Sequence, residues 1–312
     1  MAMIETINLT KRYGELMALS NLNLQIEEGD CFGFIGPNGA GKTTTIKILA
    51  TLLKPTWGEA RVDGLSVGPV NARQVRSVIG YVPDYFGSYE DMVVEEYLAF
   101  FAATYDIHGE RRAQVIDDVL SLTDRGCKRD AEVSWLSRGM QQRLSVARVL
   151  LHDPKVLLLD EPASGLDPRA RIEMRELLKE LHRMGKTILI SSHILLELAE
   201  LCNKVGIVER GELKFTGTMD DIIQQARVGM VVLVGVAERT AAAKDLIDAL
   251  PGVADTEHVD GHIRVTLDPE RGGDPAMVAK KLIESGMRLT RLEEERVNLE
   301  TAFMRLTQGL VQ

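Results

Sequence analysis

Uninterrupted apolar runs mark three places where a strand must be buried on both faces: Cys31 to Ile35, Val156 to Leu159, and the segment "GKTILISSH" at 185–193. Runs this short, each giving way to polar or glycine-rich sequence, predict parallel strands whose carboxyl ends collect a ligand. Between the first two, the pattern turns helical. "DYFGSYEDMVVEEYLAFFAATYDI" at 84–107 reads as an aromatic-rich loop leading into an amphipathic helix, with about half of its aromatics ordinary core filling. "WLSRGMQQRLSVARVLL" at 135–151 starts in a turn and runs into a second helix.

Past "VGIVERGELKFTGT", a hairpin turning at Arg210-Gly211, a helix over 219–226 leads to a fresh strand, "GMVVLVGVA". The remainder alternates: helix "RTAAAKDLIDAL", strands "VADTEHVD" and "HIRVTLD" around Asp260-Gly261, helix "DPAMVAKKLIESG", strand "RLTRLEEE" and helix "NLETAFMRLTQ". This order predicts a small α+β domain over 226–312 with ferredoxin-like topology. An α/β domain over 1–225 precedes it.

A chain of 312 residues, 45% hydrophobic and 27% charged, is long enough for both cores. The longest apolar runs, such as "VVLVGV" at 231–236, fall short of the ~20 residues a membrane helix needs. The start "MAMIETINLTKRYG" lacks the apolar core of a signal peptide. The expectation is therefore a cytoplasmic protein that reaches a membrane only through a partner. A net charge of -9 argues against a broad nucleic-acid footprint. Cys31, Cys127 and Cys202, scattered and without a CxxC pair, read as buried thiols in a reducing compartment.

The first apolar strand runs into Gly36-Pro37-Asn38-Gly39-Ala40-Gly41-Lys42-Thr43, followed by Thr44 and a helix from about Gly41. This is the Walker A spacing in its required strand–loop–helix context. Gly36, Gly39 and Gly41 let backbone N–H groups wrap a phosphate, Lys42 reaches the β- and γ-phosphates of a nucleotide, and the Thr43 hydroxyl suits Mg²⁺. The second strand ends in Asp160 and Glu161. Taken alone that pair is as readily a strand cap; after a phosphate loop, Asp160 suits a Mg²⁺ hydration shell and Glu161 the water attacking a γ-phosphate. His193 closes the third strand. By spacing alone it reads as a satisfied polar residue; its place at the same sheet edge makes it a γ-phosphate neighbour. A second anion-binding turn lies at 135–139, where Ser137 offers a hydroxyl, Gly139 bares backbone N–H groups, and the following helix presents its positive end.

In order, Tyr13, "GPNGAGKT", "YVPD", "LSRGMQQR", "LLLDEP", "SGLD" and "SSH" resemble the ATP-binding subunits of ABC transporters over residues 1 to 225. The resemblance implies a P-loop ABC ATPase core with a helical subdomain over about 88–151 that contacts the membrane partner. It implies ATP and Mg²⁺ as ligands, Glu161, His193 and Lys42 as catalytic residues, and Thr43, Asp160 and Asp84 at the metal. It also implies that Ser137 and Gly139 close on the ATP of a second copy, with two ATPs sandwiched in a homodimer, and that Ser164 to Asp167, the D-loop, touch the opposite copy. Tyr13 matches the aromatic that stacks on adenine, or is a turn tyrosine.

Two departures stand out: Leu136-Ser137-Arg138-Gly139-Met140 where the family has LSGGQ, and Asp84 where it has the Q-loop glutamine. Arg138 adds charge to a phosphate clamp or is simply solvated; Asp84 acts on Mg²⁺ or points into solvent. "LETAFMRLT" resembles the C-terminal end of subunits serving drug, lipid or polysaccharide exporters. His258 and His262, four apart on a hairpin, read as solvated strand positions rather than metal ligands, which leaves dimerisation or regulation as the expected role of the tail.

The function implied is therefore ATP-driven closing and opening that powers an exporter whose separate permease spans the membrane, at the inner face of the cell membrane and with no nucleic acid expected. The alternative, a soluble ABC-type ATPase remodelling a ribosome or nucleic acid, calls for two cassettes in one chain or a long coiled-coil insertion; this chain has one cassette and no sustained heptad.

Overall fold

The structure is a computed structural model that describes residues 2–85, 87, 92–123, 129–226, 230–238, 240–259, 261–268 and 271–294. It divides into two compact units between Met219 and Asp220. The expected boundary at 225 falls at the far end of the helix that this division enters.

The first unit opens with β1 (Ala2–Tyr13), β2 (Leu16–Glu27), β3 (Cys31–Ile35), α1 (Lys42–Leu49), β4 (Trp57–Val62) and β5 (Leu65–Ser66). It continues through α2 (Ala72–Val78), β6 (Ile79–Val82), α3 (Val94–Thr104), α4 (Gly109–Thr123), a 3-10 turn at Val133–Trp135 and α5 (Arg138–Leu150). Then come β7 (Val156–Asp160), α6 (Pro168–Arg183), β8 (Thr187–Ser192), α7 (Leu195–Ala199), β9 (Lys204–Glu209) and β10 (Glu212–Gly217), and α8 (Met219–Ala226) follows, all but its first residue in the second unit.

All three apolar runs are strands of one six-stranded sheet, in the order β10-β9-β3-β8-β7-β6, and every residue of β3, β7 and β8 is buried. β3, β8, β7 and β6 are parallel neighbours, and their register sets Ile35 beside Ser192 and Asp160 beside Ser191. The register therefore aligns the residues that follow three strands along one edge.

A second, antiparallel sheet, β2-β1-β4-β5, lies across α1. The helix is thus enclosed: Ile46, Ile48 and Leu49 share one core with Phe32, Phe34, Leu158 and Leu189 and with Leu9, Leu19, Leu22 and Ile26 of the antiparallel pair. Each such side chain, fully withdrawn from water, contributes about 1.5–3 kcal/mol. Sequence periodicity did not reveal this sheet. Cys31 and Cys202, distant in sequence, are both buried with their Sγ atoms 3.7 Å apart; Cys127 lies outside the described residues. In the helical subdomain, α3, α4 and α5 pack on one another and α5 reaches β6 and α6. Tyr97 and Leu98 of α3 are buried, whereas Phe100 and Tyr105 are exposed.

The second unit contains β11 (Met230–Val236), α9 (Thr240–Asp248), β12 (Val253–Val259), β13 (His262–Leu267), α10 (Pro275–Glu284) and β14 (Leu289–Glu294). Its strand order is β12-β13-β11-β14, and β13 and β14 each pair antiparallel with β11. That is the ferredoxin-like arrangement expected. Val232, Val234, Ile263, Val265 and Leu267 form its core with Ala243 and Ile247 of α9 and Val278 and Leu282 of α10. The expected helix at 298–308 and its "LETAFMRLT" segment lie outside the described residues.

Gly64 and Gly211 both hold positive φ in two-residue hairpin turns, after Asp63 and Arg210 respectively. A β-carbon at Gly64 would meet open space; at Gly211 it would stand 2.6 Å from the Ala18 carbonyl oxygen. Gly64→Ala is expected to lower unfolding free energy by about 1 kcal/mol, the cost of left-handed backbone alone. Gly211→Ala should cost about 3 kcal/mol because backbone must also move. Urea unfolding of both variants checks this, and equal costs would refute the crowding argument.

Candidate functional site

The loop after β3 is held by close backbone contacts. A β-carbon on Gly36 would overlap the Val208 carbonyl, and one on Gly41, whose φ is 105°, would stand 2.6 Å from Leu19 Cδ2 and 2.7 Å from the Ala18 oxygen. Gly211 N–H donates to the Ala40 carbonyl (3.0 Å) and Ser20 N–H to that of Gly211 (2.9 Å). The β2 strand and the β9–β10 turn thus pin the loop from both sides. Asn38 and Gly39 stay exposed at its crest, with Pro37 and Thr44 half-buried. Tyr13, 45% exposed with the Lys11 ammonium 5.1 Å from its ring centroid, lies where β1 turns into β2, the strand that reaches Gly41.

Lys42 is only 5% exposed; its ammonium donates to the carbonyls of Gly36 (2.6 Å) and Pro37 (3.2 Å) and lies 3.4 Å from Glu161 Oε1. The Thr43 hydroxyl donates to Asp160 Oδ1 (3.1 Å), which also accepts from Ser191 Oγ (2.8 Å). Ser191 Oγ in turn accepts the Glu161 N–H (2.9 Å). Glu161 Oε2 lies 2.8 Å from His193 Nδ1. Lys42, Thr43, Asp160, Glu161 and His193 therefore form one bonded network. Glu161 holds φ at 50°, a left-handed conformation sparse for a residue with a side chain and found where function over-determines the backbone.

Burial pushes the Asp160 carboxyl up, Glu161 and Asp84 add to the rise, and the Ser191 and Thr43 hydrogen bonds oppose it. Tyr81 is pushed up to about 12 by burial and by the charges of Asp160 and Asp84. The Asp84 side chain is exposed, and its carbonyl accepts from Gln142 Nε2 of α5 (3.1 Å). The donor set around Asp160 is entirely oxygen and rich in negative charge, which fits a hard divalent cation.

Ser137 and Gly139 lie apart from this network. Ser137 caps α5 by accepting the Met140 N–H (3.3 Å), and Gly139 is buried because a β-carbon there would come 2.7 Å from Ala170 Cβ of α6. Trp135, two residues earlier, is 78% exposed. Sequence reasoning missed Ser191 and Gln142. The signal for Ser191 was present, since it precedes His193 by two at the end of a buried strand; Gln142 has no signal short of the folded contact.

A phosphate loop after β3 with an acidic pair at the end of β7, one strand removed in the same parallel sheet, defines a P-loop nucleoside triphosphatase. Residues 19–164 match the family model described as "ABC transporter". The chain is 35% identical over 98% of its length to the Nod factor export ATP-binding protein I of Burkholderia orbicola, covering 97% of that protein. It is 34% identical, with the same two coverages, to the bacitracin transport ATP-binding protein BcrA of Bacillus licheniformis. Among solved structures it is similar to an ATP-binding subunit of an ABC transporter (29% identity, TM-score 0.65, 72% of this chain and 92% of that one). It is also similar to an ATP-binding cassette described as a dimeric post-hydrolysis state bound to ADP and Pi (28% identity, TM-score 0.62, 69% and 98%). The chain belongs to the ABC transporter family, as an ATP-binding subunit that hydrolyses ATP.

Ser191→Ala would leave the Glu161 N–H without its partner and strip a donor from buried Asp160. The expected loss is about 1–3 kcal/mol of stability, together with a lower ATPase rate. Chemical denaturation and a steady-state ATPase assay read the two separately, and a variant equal to wild type in both would show that Ser191 does not order the site.

Proposed function

We propose that the chain powers a membrane exporter. Two copies close on two ATPs at the inner face of the cell membrane and drive a separate membrane-spanning permease. The geometry that carries this reading is the bonded network of Lys42, Thr43, Asp160, Glu161 and His193, with Ser137 and Gly139 standing apart from it on α5. The site holds every element of hydrolysis except a second clamp, and a second copy supplies that clamp. The direction of transport follows the relative named for Nod factor export, and the relative named for bacitracin transport supports a transport role. Those full-length matches also favour an exporter over an ATPase that remodels ribosomes or nucleic acid. No helix among the described residues is long and apolar enough to cross a membrane, which fits a separate permease.

In this reading Gly36 to Thr44 cradle the phosphates and Tyr13 covers the adenine. Thr43 and Asp160 hold Mg²⁺, with the Asp84 charge close by, and the cation would offset charge on the phosphate oxygens. Glu161 orients and polarises the attacking water. His193 holds the carboxylate through Oε2 while Lys42 sits beside Oε1, so the base is positioned from two sides.

Glu161→Gln keeps the shape of the site but loses the base. Its ATPase rate should fall by at least about 100-fold while ATP still binds, and the variant should elute as a dimer with ATP and Mg²⁺ and as a monomer without. A variant that stays monomeric and hydrolyses at the wild-type rate would overturn the assignment. For the shared site, Ser137→Arg mixed with Lys42→Ala should recover one working composite site in each mixed dimer. Confirmed mixed dimers no more active than either variant alone would refute it. For Asp84, ATPase rates of Asp84→Asn, Asp84→Gln and Asp84→Ala across a Mg²⁺ titration should show a displaced midpoint, and three wild-type profiles would remove Asp84 from the site.

A further inference from the structure

Two arginines from different helices meet the segment Ser164–Asp167, Arg138 by packing and Arg171 by a hydrogen bond. Arg138, where the signature departs from its family, is exposed in the first turn of α5, and its guanidinium lies over Gly165. A β-carbon on Gly165 would stand 2.6 Å from Arg138 Cζ, and the glycine's φ of 66° further disfavours any side chain there. Arg171, in the first turn of α6, donates from Nε to the Leu166 carbonyl (2.9 Å) while its Nη1 lies 3.4 Å from Glu197 Oε1. Glu197 belongs to α7, which begins two residues after His193. His193 holds Glu161, and the Ser164 N–H returns to the Glu161 carbonyl (3.0 Å). The contacts therefore run from the signature turn through the D-loop to α7, His193 and the catalytic carboxylate, and close on themselves.

Packing gives these contacts their leverage. A cavity of about 140 Å³ lies among Glu161, Gly165, Arg171, Arg175, His193 and Glu197, so α7 is not wedged on that side by close-packed side chains. A five-residue helix has no stability of its own. Its placement depends on buried Leu195 and Leu198 and on two ion pairs to α6, Arg171 with Glu197 (3.4 Å) and Arg175 with Glu200 at its C-terminal end (2.9 Å). Arg171 is suited to this because its rigid planar guanidinium sends Nε to the Leu166 carbonyl and Nη1 to Glu197 in fixed, separate directions, a geometry that an ammonium on a flexible stem does not hold.

We propose that Arg138, Arg171 and Glu197 are positioning residues of the hydrolytic site, carrying the placement of the signature turn through Ser164–Asp167 to His193 and so to Glu161. The proposal rests on the reading that the signature serves the ATP of a second copy, and adds the side chains by which clamping there is felt at the chain's own base. None of the three touches the reacting atoms, so each acts through another group.

A double-mutant cycle in the full-length chain tests this. Arg138→Gly, the family's usual residue, and isosteric Glu197→Gln should each lower kcat by about tenfold with KM near wild type. The double variant should fall no further than either single one, because both break the same chain of contacts. Arg171→Lys should lose as much kcat as Arg171→Ala. Melting temperature and binding of a fluorescent ATP analogue, measured alongside, confirm an intact fold. If Arg138→Gly does not fold, Arg138→Lys replaces it in the cycle. Single variants at the wild-type rate, effects that multiply in the double variant, or full activity of Arg171→Lys would each overturn the proposal. The cycle is read within one chain and the mixed-dimer experiment between chains, so failure of the relay and failure of the shared-site reading are distinguishable.

Discussion

Backbone approaches backbone at Gly36, Gly41 and Gly211 more closely than any side chain would permit, and the site depends on that approach. It locks the phosphate loop between β2 and the β9–β10 turn, so the loop is shaped by the union of two sheets rather than by its own sequence. With the loop fixed, α1 is buried between those sheets and Lys42 is drawn into a nearly dry position. The register of β3, β8 and β7 then determines which polar residues meet it. A shift by one residue in β7 or β8 would turn Asp160 or Ser191 away from the network.

The acidic character of that network follows from the same arrangement. Asp160 ends a buried strand and Glu161 follows it, so burial raises the Asp160 carboxyl, and the charges of Glu161 and of Asp84 beyond the next strand add to the rise. Negative charge concentrated beside a lysine and a ring of N–H donors is unfavourable until a cation arrives and favourable afterwards. A site with that bias suits a ligand that brings its own divalent ion.

Much of this was legible in the chain. The buried strands announced themselves as continuous apolar runs, and the phosphate loop and the acidic pair by fixed spacing. The ferredoxin-like order of the second unit followed from alternating helix and strand patterns, with two strands around Asp260-Gly261. The antiparallel sheet was not legible. β1 and β2 carry register shifts around Leu9, and Asn8 and Asn21 hold positive φ, so the two-residue alternation that identifies a strand is broken where it would be counted. Ser191 had a signal in its place two before His193, but what it does shows only when Asp160 and Glu161 come alongside from the neighbouring strand. Arg138 stood out as a departure, but its contact with Gly165 arises only when α5 and α6 pack.

The signature turn also carries the aromatic ring of Trp135, anchored between buried Val133 and Leu136 yet itself largely in water. The chain has two tryptophans, and the other, Trp57 on β4, is exposed as well at 58%. Ultraviolet emission from this protein therefore comes from hydrated indoles, one of them two residues from Ser137. Drying of the signature face shifts that emission to the blue, so the chain carries its own optical gauge of whether the face is open or covered, with no dye attached.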